Sequence, residues 1–184
     1  AADLEGWIGA IITHGAGFAD AVFLCHAWRA AACGDVEALK AVSGYAAAFR
    51  GSTEAALESA AQGRAFVSAL AAGWPDLAVR SEAGTEPAYP CVVGAAAGLG
   101  GIPLPDAVLA FLHAFATNLI SAGVRLIPLG QREGVRILAA LAPVTARAAA
   151  AALGTELDDL GTATLRVDLT MARHETQHVR LFRS

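Results

Sequence analysis

The chain has 184 residues, of which 55% are hydrophobic and 16% charged, with a formal net charge of -4. That length suits one ordinary domain, able to bury a core without disulfides or a structural metal. The acidic balance excludes the basic footprint of a nucleic-acid-binding protein.

Much of the apolar excess is alanine, the residue whose ordering in a helix costs least side-chain entropy. Helical periodicity dominates. A first helix is predicted near Leu4 to His14, with Leu4, Trp7, Ile8 and Ile11 on one face, broken at Gly15 and Gly17. A second follows from Phe18 to Ala32. Cys33-Gly34-Asp35 reads as a helix stop and a fresh N-cap, and a third helix runs on to Phe49. Arg50-Gly51-Ser52 repeats the stop and start. The fourth helix ends at Gly73, since Trp74-Pro75 forbids continuation. Residues 76 to 90 read as a long loop, with Pro87, Pro90 and Gly84. A short fifth helix covers Tyr89 to Leu99, and its glycines suit close helix packing.

The sixth helix is predicted from Pro105, a favoured first-turn proline, to about Ile127-Pro128. Its stretch Ala107 to Val124 carries no charge, but His113, Thr117, Asn118 and Ser121 argue against a membrane span. It reads as a central core helix. A seventh starts after Gly130 and runs to Leu153, kinked or split at Pro143. No run alternates at period two long enough for a strand. The fold class is therefore all-α, a single irregular domain of about eight helices. Residues 1–169 form the helical core and residues 170–184 a C-terminal partner-binding tail. Too little polar surface exists to cover a monomer this apolar, which predicts a homodimer.

Cys25, Cys33 and Cys91 are odd in number and set in apolar surroundings. They read as reduced, buried thiols, consistent with a cytoplasmic protein. His14, His26 and His113 read as core or edge histidines rather than ligands. The segment His174-Glu175-Thr176-Gln177-His178 fits the HExxH pattern of zinc hydrolases. Its context is poor: no third ligand follows, and Arg173, Arg180 and Arg183 put positive charge beside the proposed cation. A zinc-dependent hydrolase is the alternative reading, and no catalytic residue or metal ligand is assigned. What remains is a chain end dense in the residue types that partner pockets select, above all Arg180, Leu181, Phe182 and Arg183.

Those residues carry a resemblance. The segment Asp168 to Ser184, with its Met171-Ala172-Arg173-His174-Glu175 core and Arg180-Leu181-Phe182-Arg183-Ser184 ending, resembles the C-terminal signature of the urease accessory family UreF. Ser121 to Gln131, reading SAGVRLIPLGQ, is similar to the family's second signature, and Ala27-Trp28-Arg29-Ala30-Ala31 fits its early helices. Where this chain has His178, many members carry an aromatic residue, which would make the HExxH match an accident of one position. The resemblance implies a non-catalytic, all-helical homodimer. Such a protein binds the accessory protein UreD or UreH and recruits the GTPase UreG. Nickel then passes to apo-urease within the assembled complex, and no cofactor is held stably by the chain itself. By resemblance Met171, Arg173, His174, Glu175, Gln177, Arg180, Leu181, Phe182 and Arg183 are tail contacts. Arg125 and Gln131 belong to the dimer or GTPase surface.

Overall fold

The computed structural model describes residues 2–77 and 86–174. Among them the regular structure is entirely helical: α1 (Ala2–His14), α2 (Ala16–Cys33), α3 (Val36–Ala48), α4 (Thr53–Gly73), α5 (Tyr89–Leu99), α6 (Leu104–Leu126), α7 (Gln131–Leu153) and α8 (Leu165–His174). Short 3-10 turns cover Pro75–Leu77 and Leu157–Asp159. The architecture agrees with the all-α expectation of about eight helices.

Local chemistry explains most boundaries. Asp35 caps α3 by accepting from the Ala38 N–H at 2.9 Å, and Ser52 caps α4 by accepting from the Ala55 N–H at 3.1 Å. Each satisfies an N–H that has no partner within its helix. At the end of α2, Gly34 adopts a left-handed φ of 72°. The Asp35 N–H then donates back to the Ala30 carbonyl at 2.9 Å and the Gly34 N–H to Ala31 at 3.1 Å. Gly101, at φ 68°, ends α5 in the same way. This double bond pattern consumes two otherwise orphaned carbonyls, and glycine adopts the conformation at no steric cost.

Two details differ from the expectation, and one pair of alternatives narrows. The first break lies at Gly15 alone, and Gly17 is helical. A Cβ at Gly17 would lie 3.1 Å from both Phe115 and the Ile12 backbone, so this glycine permits close packing. Of the two alternatives at Pro143, the split is excluded, since α7 is continuous to Leu153. Helix α6, uncharged from Ala107 to Val124, is not a central core helix. It buries Val108, Phe111, Leu112, Ala116 and Ile120 on one face, and leaves Leu109, Ala110, His113, Ala114, Thr117, Asn118 and Ser121 exposed. By length and composition alone, α6, α7 and the run Ala2–Cys33 are apolar enough to cross a membrane.

The described residues form two compact units. The first comprises the chain up to Val22 with Pro105–Thr164. In it α1 packs along α7, and Ile8, Ile12, Val108, Leu112, Ile137 and Leu141 are buried. The second comprises Phe23–Leu104 with α8. Its core joins Ala31, Leu70, Val92, Ala95 and Ala96, with Leu39, Phe66, Val67 and Tyr89 packed against them. Phe23, Tyr45 and Phe49 meet edge to face, with ring centroids 5.5 to 5.9 Å apart. That geometry aligns ring edges with the negative faces of their neighbours.

Candidate functional site

Helix α8 is ten residues long and buries none of them fully. Helices this short are marginal in water, so its stability must come from contacts outside itself. Val167, Met171 and His174 are half-buried, and their spacing puts them on one stripe facing the fold. The opposite face presents Leu165, 68% exposed, and Leu169, 50% exposed, with Arg166 and Arg173 beside them. Thr170 donates to the Arg166 carbonyl at 2.7 Å. The boundary expected at residue 170 falls inside α8, which continues to His174.

His174 closes the helix. Its Nδ1 lies 2.7 Å from Oε2 of Glu54, in the first turn of α4, with Nδ1–H donating to the carboxylate. Of the remaining tail residues assigned from sequence, Met171 and Arg173 are described. Glu175, Gln177, Arg180, Leu181, Phe182 and Arg183 lie outside the described residues, as do Glu175 and His178 of the HExxH match. Among the described residues no group of three or more His, Cys, Asp or Glu side chains is arranged to hold a metal.

Arg125 and Gln131 are brought together in the first unit. Both line a groove of about 260 Å³ between the end of α6 and the start of α7, floored by Ile120, Val124, Gly134 and Leu138. A Cβ on Gly134 would lie 3.2 Å from both Ile120 and Val124, so this glycine sets the close approach of the two helices. Arg125 donates from Nε to the Ser121 carbonyl at 3.2 Å. A neighbouring hollow of about 400 Å³ shares Gln131 and Val135 and adds Arg132 and Arg136. Arg136 pairs with Glu133 at 3.3 Å. Sequence reasoning missed Val135, which is 66% exposed. Its signal was an apolar residue on the polar side of a strongly amphipathic helix.

Two of the histidines read as core or edge residues, His14 and His113, are exposed, and His26 is half-buried. Of the cysteines, Cys25 and Cys91 are buried as expected, but Cys33 is exposed at the end of α2. Burial pushes the Cys25 thiol up to about 11, against the lowering influence of Arg29. Burial likewise raises Tyr89. Both groups stay protonated at neutral pH, which suits packing rather than nucleophilic chemistry.

The family model UreF matches residues 1–142, from α1 into α7. The chain belongs to the UreF family. Relatives align over its full length. The chain is 49% identical over 188 residues to the urease accessory protein UreF of Rhodopseudomonas palustris strain BisB5, covering 100% of this chain and 77% of that one. It is 50% identical over 187 residues to UreF of strain TIE-1, covering 100% and 78%. It is 47% identical over 192 residues to UreF of Bradyrhizobium sp. strain ORS 278, again covering 100% and 78%. These UreF alignments extend through α8 and the residues that follow it, beyond the end of the family-model match.

Proposed function

We propose that the chain is a non-catalytic scaffold of urease maturation. It dimerises, binds the UreD or UreH accessory protein through residues 170–184, and recruits the GTPase UreG. The assembled complex inserts nickel into apo-urease, with GTP turnover by UreG coupled to the transfer. Nickel is cargo of the complex, and the chain holds no cofactor of its own.

The observation that carries this reading is the surface of α8. A short helix with no fully buried residue, showing Leu165 and Leu169 to solvent, has the composition of an interface awaiting a partner. Its sequence runs directly into Glu175 to Ser184, where Leu181 and Phe182 add apolar anchors and Arg180 and Arg183 add charge-assisted donors. The exposed face of α6, uncharged from Leu109 to Ser121, supports homodimerisation, because such a face gains free energy when a second copy removes it from water. The groove holding Arg125 and Gln131 supports a second contact surface for the dimer or the GTPase. Three free thiols favour the cytoplasm. Polar His113 and Asn118 on the exposed face of α6 favour an aqueous or protein environment over hydrocarbon.

The test is capture. With this chain as bait in a urease-positive lysate, UreD or UreH and UreG should be retained and identified by mass. Retention of neither would remove the reading.

A further inference from the structure

We infer that Glu54 is a positioning residue for the C-terminal partner-binding segment: it pins the end of α8 to the first turn of α4 through His174. This rests on the reading of residues 170–184 as the partner-binding element.

The two side chains are 120 residues apart in the sequence and 2.7 Å apart in the fold. Both are partly withdrawn from water, His174 with 38% and Glu54 with 25% of its side chain exposed. Partial burial weakens solvent competition for the bond. Each group also sits where its helix favours it. Glu54 lies in the first turn of α4, next to the N-cap Ser52, where unsatisfied N–H groups stabilise a carboxylate. His174 is the last residue of α8, where unsatisfied carbonyls favour a hydrogen-donating imidazole. The contact therefore joins two helix ends of opposite polarity.

The pin adds to a short line of contacts along α8. Its inward stripe is limited to Val167, Met171 and His174, all only half-buried. Hydrophobic contact along such a stripe is non-directional and does not by itself fix the position or rotation of the helix. A directional bond at its last residue fixes both. His174 is also the first residue of the HETQH segment, so pinning it fixes the residue from which the assigned tail contacts continue.

Hydrogen exchange on the chain alone, followed by partner affinity, tests this. In Glu54→Ala the amides of Leu169 to His174 should exchange about tenfold faster, the scale of losing one charge-assisted bond. UreD or UreH should bind about tenfold more weakly. His174→Ala should speed the same amides, and in the double variant the two losses should be less than additive, because both substitutions remove the Glu54–His174 contact. Glu54→Gln keeps an acceptor in place and should retain affinity within about threefold. Glu58→Ala, on the same helix, should change neither readout. Unchanged α8 exchange in Glu54→Ala, additive single variants, or an equal effect from Glu58→Ala would overturn the assignment. So would faster exchange across α4 itself, which would make Glu54 a residue of helix stability. Failure of the unaltered chain to capture any partner would remove the proposed function instead, while the exchange arm would still decide the pin.

Discussion

Gly98 of α5 lies directly on the backbone of Trp28 in α2: a Cβ at Gly98 would sit 2.7 Å from the Trp28 carbonyl oxygen. One turn earlier, Gly94 faces the carbonyl of Leu24 in the same way, with even less room. Two glycines four residues apart thus let α5 approach backbone to backbone on α2, and the Trp28 indole completes the joint by donating to the Ile102 carbonyl at 2.9 Å. Helix propensity alone would make alanine the better residue at these positions. The contact reverses that preference, because the obstruction is backbone rather than a side-chain tip that could move. Gly98→Ala should lower stability by about 1–3 kcal/mol. Gly44→Ala, in α3 with nothing within 4 Å of its Cβ position, should raise it by about 0.5–1 kcal/mol. Denaturant unfolding of both variants checks the sign.

The cysteines should separate by reactivity. Cys33 is exposed, and Cys25 and Cys91 are buried. A maleimide applied to the folded chain should label Cys33 alone, and all three thiols should label after denaturation. Rapid native labelling of Cys25 or Cys91, read by mass of the peptides, would contradict the packing of α2 and α5.

Alkaline pH should destabilise the fold. The Cys25 thiol is pushed up to about 11 from an ordinary 9.0, so between those values the unfolded chain has lost a proton that the folded chain keeps. Unfolding then releases protons, and stability falls as pH rises. The contribution is fully present below pH 9 and lost as pH passes about 11. The shift corresponds to roughly 2–3 kcal/mol. Tyr89, also raised by burial, adds in the same direction. Melting curves from pH 8 to 11 should show the decline, and Cys25→Ala should flatten it even though that variant starts less stable.

The helices were legible because their ends are written in short-range chemistry. Asp35 and Ser52 announce starts, Gly34 and Gly154 announce stops, and Trp74-Pro75 forbids continuation. The small residues of α5 were read correctly as a packing surface, since glycines at helical spacing have few other uses inside a helix. The face of α6 was not legible. Ala110, Ala114, Thr117 and Ser121 are small and uncharged, so hydropathy cannot separate them from core residues such as Ala107 and Ala116. Cys33 misled for the same reason, being one apolar residue at a helix end. The Glu54–His174 contact could not be read at all, because its partners are joined only by tertiary folding. Arg125 and Gln131 were chosen by resemblance, and the groove that unites them depends on the α6–α7 crossing at Gly134, which no local pattern encodes.

The exposed face of α6 gives a prediction about assembly. Ala114 lies on that face, and an arginine there would bring an unpaired charge into any interface formed by it. Ala114→Arg should convert a dimer to a monomer by light scattering at micromolar concentration, with helix content unchanged. A chain that is monomeric before substitution, or dimeric after it, would remove α6 as the dimer surface.

The proposed scaffold role requires the C-terminal segment to bind the partner. Deleting Arg173 to Ser184 removes the final two residues of α8 and all that follows, and leaves both buried cores complete. Partner affinity of the full and shortened chains for UreD or UreH, measured beside urease activation in a reconstituted system, tests it most directly. The shortened chain should lose partner binding and urease activation together, while circular dichroism and melting temperature barely change. A shortened chain that still captures the partner and supports activation would contradict it.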